Sequence, residues 1–338
     1  MKKKAVILFN LGGPDSLESV KPFLFNLFND PAIIRLPKIP RYLLAKFISF
    51  KREKIAKEIY SHIGNKSPIL DITKTQKKSL EKSLNDNDEE NSYKCFIAMR
   101  YWKPFISDTI KKIEEYKFDE IILLPLYPQY STTTTGSSIT EWSNQIKGTG
   151  LENVKTHIVH SYPEEEYYIE SFCENTIKSY NSIDDKKNCR ILFSAHGLPK
   201  NISDLPEEPY EGQIKSTADK MIEKIKERLS ISELDYVICY QSRVGRLEWI
   251  GPSLDEELVR AGKDGKGVII VPISFVSEHS ETLVELDIEY RKMSDENNIP
   301  FYKRVQTVCD DKLYIKSLTE ICLDISNNNK KKNDYNML

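Results

Sequence analysis

None of the six cysteines, at 95, 173, 189, 239, 309 and 322, is spaced as C-x-x-C, and six in 338 residues is far below the density of a disulfide scaffold. Paired-cysteine zinc and redox motifs and a stapled secreted fold are thereby excluded, and a reducing cytosol fits best. Long apolar runs are missing as well: nothing approaches the roughly 18 residues of a membrane span. The start Met1-Lys-Lys-Lys-Ala-Val-Ile-Leu-Phe9 imitates a secretory signal. Its five apolar residues end at Asn10-Leu-Gly-Gly-Pro14, short of the roughly 7–15 of a signal core, so a first β-strand is the better reading. No surplus of charge exists either, since 49 basic against 51 acidic residues leave a formal -2. That balance gives no global electrostatic case for nucleic acid. Gly12-Gly13-Pro14 satisfies neither G-x-G-x-x-G nor the Walker pattern, and a tight strand-to-helix turn explains its glycines. The expectation is a cytoplasmic protein with small partners, at most peripheral to the inner face of a membrane.

What is present is an alternation. Short apolar runs rich in β-branched and aromatic residues recur at Ala5–Asn10, Tyr93–Met99, Glu120–Pro125 and Asn153–Val159. They recur again at Cys189–Ser194, Tyr236–Tyr240, Val268–Ile273 and Pro300–Val305, with helical patterns between them. Strands that alternate with helices and are apolar on both faces predict parallel sheets covered on each side. The expected fold class is therefore α/β, with two Rossmann-like doubly wound domains. The first spans 1–160 and the second 161–308, followed by a terminal helix over 309–326, free to pack back on the first domain, and a frayed tail over 327–338.

Ligands of open α/β sheets bind at the carboxyl ends of the strands. That rule puts Asn10–Pro14, Met99–Trp102, Leu126–Ser138, Ser194–Pro199, Gln241–Gly245 and Ile273–Glu281 on the functional rim. His196 ends the run Ile191-Leu-Phe-Ser-Ala-His and precedes Gly197, which removes side-chain bulk where a ligand could approach. Glu281, Glu285 and Glu289 are spaced four apart, so on an α-helix they form one stripe roughly 12 Å long. Such a stripe is either a solvated face or a path whose mutual repulsion a metal ion or a proton relieves. Imidazole with carboxylate suits both a divalent first-row metal and proton transfer near neutrality. His279, two residues before Glu281, can turn toward the site or away from it. Ser131–Ser138 looks like a phosphate cradle, yet a polar loop leading to a helix cap accounts for it without a ligand. The segment 35–57, with Arg41, Lys46, Lys51, Arg52, Lys54 and Lys57 among apolar residues, reads as a basic amphipathic stretch. It fits an ordinary surface helix, an anionic membrane, or an apolar ligand bearing acid groups.

In order along nearly the whole chain, Asn10-Leu-Gly-Gly-Pro14, Phe23-Leu-Phe-Asn-Leu-Phe28, Ser67-Pro-Ile69, Pro128-Gln-Tyr-Ser131 with Thr135-Gly-Ser-Ser138, Ser194-Ala-His-Gly-Leu-Pro199, Gln241-Ser-Arg-Val-Gly245 with Trp249-Ile-Gly-Pro252, and 275–289 resemble the ferrochelatases, bacterial type. The resemblance implies a lyase of haem biosynthesis that inserts ferrous iron into protoporphyrin IX or a related propionate-bearing porphyrin, releasing two protons, in a cleft between two Rossmann-like halves. It implies His196 as metal ligand, base or both, Glu281 as its acidic partner, and Glu285 and Glu289 as a proton or metal path. It further implies Leu11 and Trp249 as walls, Arg100 and Tyr101 on the other porphyrin face, and Arg52, Tyr60 and Ser67 at the propionates. Porphyrin and ferrous iron are then substrates. No permanent cofactor is expected, because four cysteines at [2Fe-2S] spacing are missing. A cobalt or nickel chelatase, a tetrapyrrole or metal carrier, and a nucleotide enzyme are the competing classes.

Overall fold

The computed structural model describes residues 1–326 apart from Val244 and Arg246; the tail expected at 327–338 lies outside the described residues. The chain forms two compact units, Met1–Tyr162 joined by the segment from Ile315 onward, and Pro163–Tyr314. The second boundary lies past the expected 308 because the last helix begins only at Lys312, and its apolar residues Ile315, Leu318, Ile321 and Cys322 are buried.

The first unit runs β1 (Lys2–Asn10), α1 (Val20–Phe28), α2 (Lys38–Ser61), α3 (Ile69–Asn87), β2 (Asn91–Met99), α4 (Ile106–Glu114) and β3 (Glu120–Pro125). A short π-helix (Thr132–Gly136) then leads into α5 (Ser137–Gln145), and β4 (Lys155–Ile158) closes the series. The strands make one parallel sheet in the order β2-β1-β3-β4. Central β1 is buried from Lys4 to Asn10 with no alternation, as a strand covered on both faces must be. Phe9 meets Trp142 edge to face at 5.9 Å beneath α5.

The second unit runs α6 (Glu166–Asn181), β5 (Cys189–His196), α7 (Lys200–Ser203), α8 (Tyr210–Leu229), β6 (Tyr236–Gln241), α9 (Leu254–Lys263) and β7 (Gly267–Pro272). A second π-helix (Glu281–Glu289), α10 (Tyr290–Glu296) and β8 (Tyr302–Arg304) follow, and α11 (Lys312–Ser326) carries the chain back to the first unit. The order β6-β5-β7-β8 repeats that of the first sheet. Local chemistry sets the element ends. Ser253 and Glu256 form a reciprocal capping box at the start of α9, with hydrogen bonds of 3.1 and 2.7 Å. Gly267 opens β7 because a Cβ there would lie 2.2 Å from the Phe301 ring. Leu192, Cys239, Leu258, Val268, Ile270 and Leu286 seal the sheet against α9 and the second π-helix.

In each unit the strand order reverses between the first and third strands, β1 with β3 and β5 with β7. The crevice at their carboxyl ends is where such sheets admit ligands.

At the opposite end of the first sheet, buried Glu120 accepts hydrogen bonds from Lys2 at 2.9 Å and His157 at 3.1 Å. Burial works against the Glu120 charge, but those bonds outweigh it and bring the carboxyl down to about 2. Burial also pushes His157 below its ordinary 6.5, only partly countered by Glu120. Both pKa values are depressed on folding, so the linked stability is complete above the ordinary values. It is lost as pH falls, first below about 6.5 and then from about 4.5 toward 2. The urea midpoint is accordingly expected to drop from pH 7 to pH 3, and Glu120→Gln is expected to lower it at pH 7 and flatten that drop. An equally steep drop in the variant would remove this pair from the account of acid sensitivity.

Candidate active site

His196 is the last residue of β5, paired with Gln241 of β6, so it stands at the carboxyl end of the central strand beside the reversal point. Its Nδ1 lies 2.6 Å from the Gly197 carbonyl. A carbonyl only accepts, so Nδ1 carries the proton and the neutral ring keeps its lone pair on Nε2. That nitrogen is 3.8 Å from Glu281 Oε2. The separation exceeds a hydrogen bond, leaving base and carboxylate facing each other rather than joined. His279 Nε2 stands at the same 3.8 Å from the same oxygen, with its Nδ1 3.1 Å from the Ser277 carbonyl. The sequence left this second histidine open; the fold turns it toward Glu281.

Gly197 serves a different purpose from the one expected. A Cβ there would meet the Gln241 carbonyl at 3.0 Å and Trp249 at 3.3 Å, so the glycine admits protein neighbours rather than a ligand. The contact sets Trp249 against the turn that carries His196.

The acidic segment is a π-helix, not the α-helix its four-residue spacing suggests. Tyr290 N–H reaches back five residues to the Glu285 carbonyl. The wider turn spoils the straight stripe: Glu281 and Glu285 face inward, whereas Glu289 is exposed. Arg304 holds the segment at two points. Its Nε and Nη2 grip Asp287 at 2.8 and 2.6 Å, and its Nη1 binds Glu278 at 2.8 Å.

Glu285 is anchored by the turn after β6. Ser242 gives it a backbone N–H at 2.8 Å and a hydroxyl at 2.5 Å, and Gln241 Nε2 gives a longer bond at 3.2 Å. Ser242 adopts the left-handed region, φ 63°, to aim both donors at one carboxylate. Ser194 fixes Gln241 in turn through a 2.7 Å bond to its Oε1. None of these three was singled out from the sequence, although the position of Gln241 and Ser242 just after a strand was the available signal.

The two carboxyls are driven apart. Burial and the neighbouring Glu281 charge push Glu285 up. Burial works on Glu281 in the same sense, but the facing imidazoles of His196 and His279 and the Ser242 hydroxyl outweigh it and hold its carboxyl below the usual range. The pair can therefore keep one charge and one proton at neutral pH. Glu285 and Glu289 also line a cavity of about 460 Å³ with Arg243, Ser253, Asp255, Tyr290 and Met293. Among the described residues no group of three or more His, Cys, Asp or Glu could hold a metal ion.

In the first unit, half-buried Leu11 packs on a cluster that includes Tyr60, Tyr101 and Trp102. Arg52 lies half-buried over the Phe28 ring at 5.9 Å. Tyr60 and Ser67 are both buried; Ser67 packs so closely on Gly13 that a Cβ on that glycine would lie 2.5 Å from it. Tyr101 is 0 % exposed and donates its hydroxyl to Asp30 at 2.7 Å, which corrects its expected place on a porphyrin face. The chain beyond β2 folds inward at Tyr101, and only the preceding Arg100 keeps an open edge.

A family model described as Ferrochelatase matches residues 3–324. The chain is 49% identical over 334 residues to a protein named Ferrochelatase from Pelagibacter ubique, covering 98% of this chain and 92% of that one. It is 50% identical over 323 residues to one of the same name from a Wolbachia of Drosophila simulans, covering 96% and 99%. Among solved structures, SirB from Bacillus subtilis with Fe3+ superposes with a TM-score of 0.57 at 12% identity, covering 99% of this chain and all of that one. A cobalt complex of the sirohydrochlorin chelatase SirB from Bacillus subtilis subspecies spizizenii gives 0.54 at 8%. These structures share the two-sheet fold.

Proposed function

The chain belongs to the ferrochelatase family, enzymes that insert iron into a porphyrin to make haem, and on that premise we propose that His196 and Glu281 are the centre of metallation. The observation that supports this most directly is the His196 Nε2 lone pair facing the Glu281 carboxylate at 3.8 Å, at the reversal point of a sheet. Insertion breaks two pyrrole N–H bonds and forms iron–nitrogen bonds without any change of oxidation state. It therefore needs proton acceptors beside a place where a cation is welcome. Neutral His196 accepts a proton at Nε2. Glu281 stays charged and attracts the ferrous ion or the imidazolium. Glu285, with its raised pKa, takes protons onward to the cavity it shares with Glu289. Leu11 and Trp249 supply apolar contact, Arg100 a cation, and Arg52 a charge for the propionates, with Tyr60 and Ser67 shaping that end from below the surface. Peripheral contacts of this kind supply the binding energy that bends a planar ring.

No resident cofactor enters this scheme. Burial raises the thiols of Cys173 and Cys189 to about 12 and pushes those of Cys95, Cys239 and Cys322 well up, which opposes the thiolate form that a cluster requires. Anaerobically purified protein is expected to lack [2Fe-2S] absorbance. Insertion is tested by visible spectra under anaerobic ferrous conditions with protoporphyrin, coproporphyrin and sirohydrochlorin. Turnover of a propionate-bearing porphyrin is the expected result, and turnover of sirohydrochlorin alone would replace this reading with the sister-chelatase one.

The enzyme also rests, in this proposal, on an anionic membrane surface through α2. No described helix is long and apolar enough to cross a membrane. Yet α2 exposes Ile39, Leu43, Phe47 and Phe50, between 59% and 75% of each, at helical spacing beside exposed Lys38, Lys46, Lys51 and Lys54. Apolar side chains flanked by cations suit an anionic bilayer interface. Sedimentation with vesicles containing phosphatidylglycerol is expected to carry the protein down, neutral vesicles much less, and Phe47→Ser with Phe50→Ser to abolish the difference. Equal partition to both vesicle types removes the membrane from the scheme.

A further inference from the structure

Asp30 lies in the turn after α1, is 3% exposed, and is fully occupied. Its Oδ2 accepts the Tyr101 hydroxyl at 2.7 Å, the Ser137 hydroxyl at 2.5 Å and Arg100 Nη2 at 2.8 Å, while its Oδ1 accepts the Ala32 N–H at 2.8 Å. The Ser137 oxygen in turn accepts Arg100 Nε–H at 2.7 Å. One edge of the guanidinium is therefore gripped at both nitrogens by a buried carboxylate and the hydroxyl that carboxylate orients. The Nη1 corner carries no partner among the described residues, and 15% of the side chain is exposed.

A buried carboxylate with this many donors gains little stability over an apolar cluster of the same volume, whereas it fixes one geometry strongly. Arginine is otherwise a flexible side chain, and two anchors on one edge leave it a single orientation. We propose that Asp30 is a positioning residue for iron insertion: acting through Arg100, it presents the Nη1 corner of that guanidinium to the porphyrin. Tyr101, sealed beneath the surface, is a strut of the same device. The inference rests on Arg100 being a porphyrin contact, as proposed above.

Its test is a pair of double-mutant cycles read as kcat/KM for porphyrin, with kcat and KM reported separately and thermal unfolding measured in parallel. Arg100→Ala is expected to lower kcat/KM about 10-fold or more, and Asp30→Asn to lower it roughly 10-fold. Adding Asp30→Asn to Arg100→Ala is expected to cost less than about twofold further, because the only route by which Asp30 acts is already gone. Ser137→Ala, a milder cut of the same clamp, is expected to cost about threefold in the native background and almost nothing beside Arg100→Ala. It carries the test should Asp30→Asn fail to fold. Losses that multiply in full overturn the inference and reduce Asp30 to a structural hub, even if all variants are equally destabilised. An Arg100→Ala enzyme with native kcat/KM overturns it differently, by removing the Arg100 contact on which it stands.

Discussion

Replacing His196 with alanine is expected to lower kcat for iron insertion about 100- to 10,000-fold while the porphyrin still binds. The size follows from what is removed. The Gly197 carbonyl commits Nδ1 to donate, so Nε2 alone faces the reacting centre, and no neighbour offers a neutral imidazole at that point. His279 is the nearest candidate for a substitute, but its ring packs on Phe275 at 4.8 Å between centroids while its Nε2 faces Glu281 at 3.8 Å. Porphyrin affinity is measured by quenching of tryptophan fluorescence, and insertion by the change in visible bands. An alanine variant that binds and metallates near the native rate would leave a carrier as the better account of this fold. Imidazole added to the variant is expected to restore part of the rate in proportion to its neutral fraction, since metal ligation and proton acceptance both need the free lone pair.

Glu281→Gln is expected to cost roughly 100-fold in kcat and to shift the pH dependence of the remainder. The amide keeps the shape but removes the negative charge that both histidines face at 3.8 Å. It also removes one of the two causes that raise Glu285, leaving burial alone. A group that accepts protons works only above its pKa, so the rate rises as pH climbs through that value. Removal of the neighbouring charge lowers the value, and the acidic limb of the profile is expected to move to lower pH in Glu281→Gln. In Glu285→Gln the part of the limb that Glu285 sets is expected to vanish. A limb unmoved by the first variant and retained in the second would assign it to some group outside this pair.

The sequence made the sheets readable because parallel strands buried on both faces leave unbroken apolar runs, as at Ala5–Asn10 and Cys189–Ser194. The end of one such run located His196. The rule that ligands bind at strand carboxyl ends then placed the loops, so Glu281 could be paired with His196 across 85 positions of chain. The π-helix escaped detection for a definite reason. A spacing of four in Glu281, Glu285 and Glu289 fits an α-helix, and widening the turn depends on tertiary clamps such as Arg304, which a local pattern does not contain. Tyr101 was misplaced because exposure after a strand depends on how the loop folds, and here a buried carboxylate draws the phenol inward. Asp30 itself was invisible: an aspartate before a proline is an ordinary turn signal, and its four donors come from residues scattered over more than a hundred positions. The place of Ser242 after a strand was legible, but its role was not, since a left-handed serine has no sequence signature.

The return of α11 to the first unit sets an order of events during synthesis. About 150 residues of the second unit, Pro163–Tyr314, must leave the ribosome before the helix that completes the first unit exists. At typical elongation rates that is an interval on the order of 10–30 s. Throughout it, the seat of Leu318, Ile321 and Cys322 stays uncovered while the later-made unit can already close its own sheet. The half synthesised first is thus the half finished last.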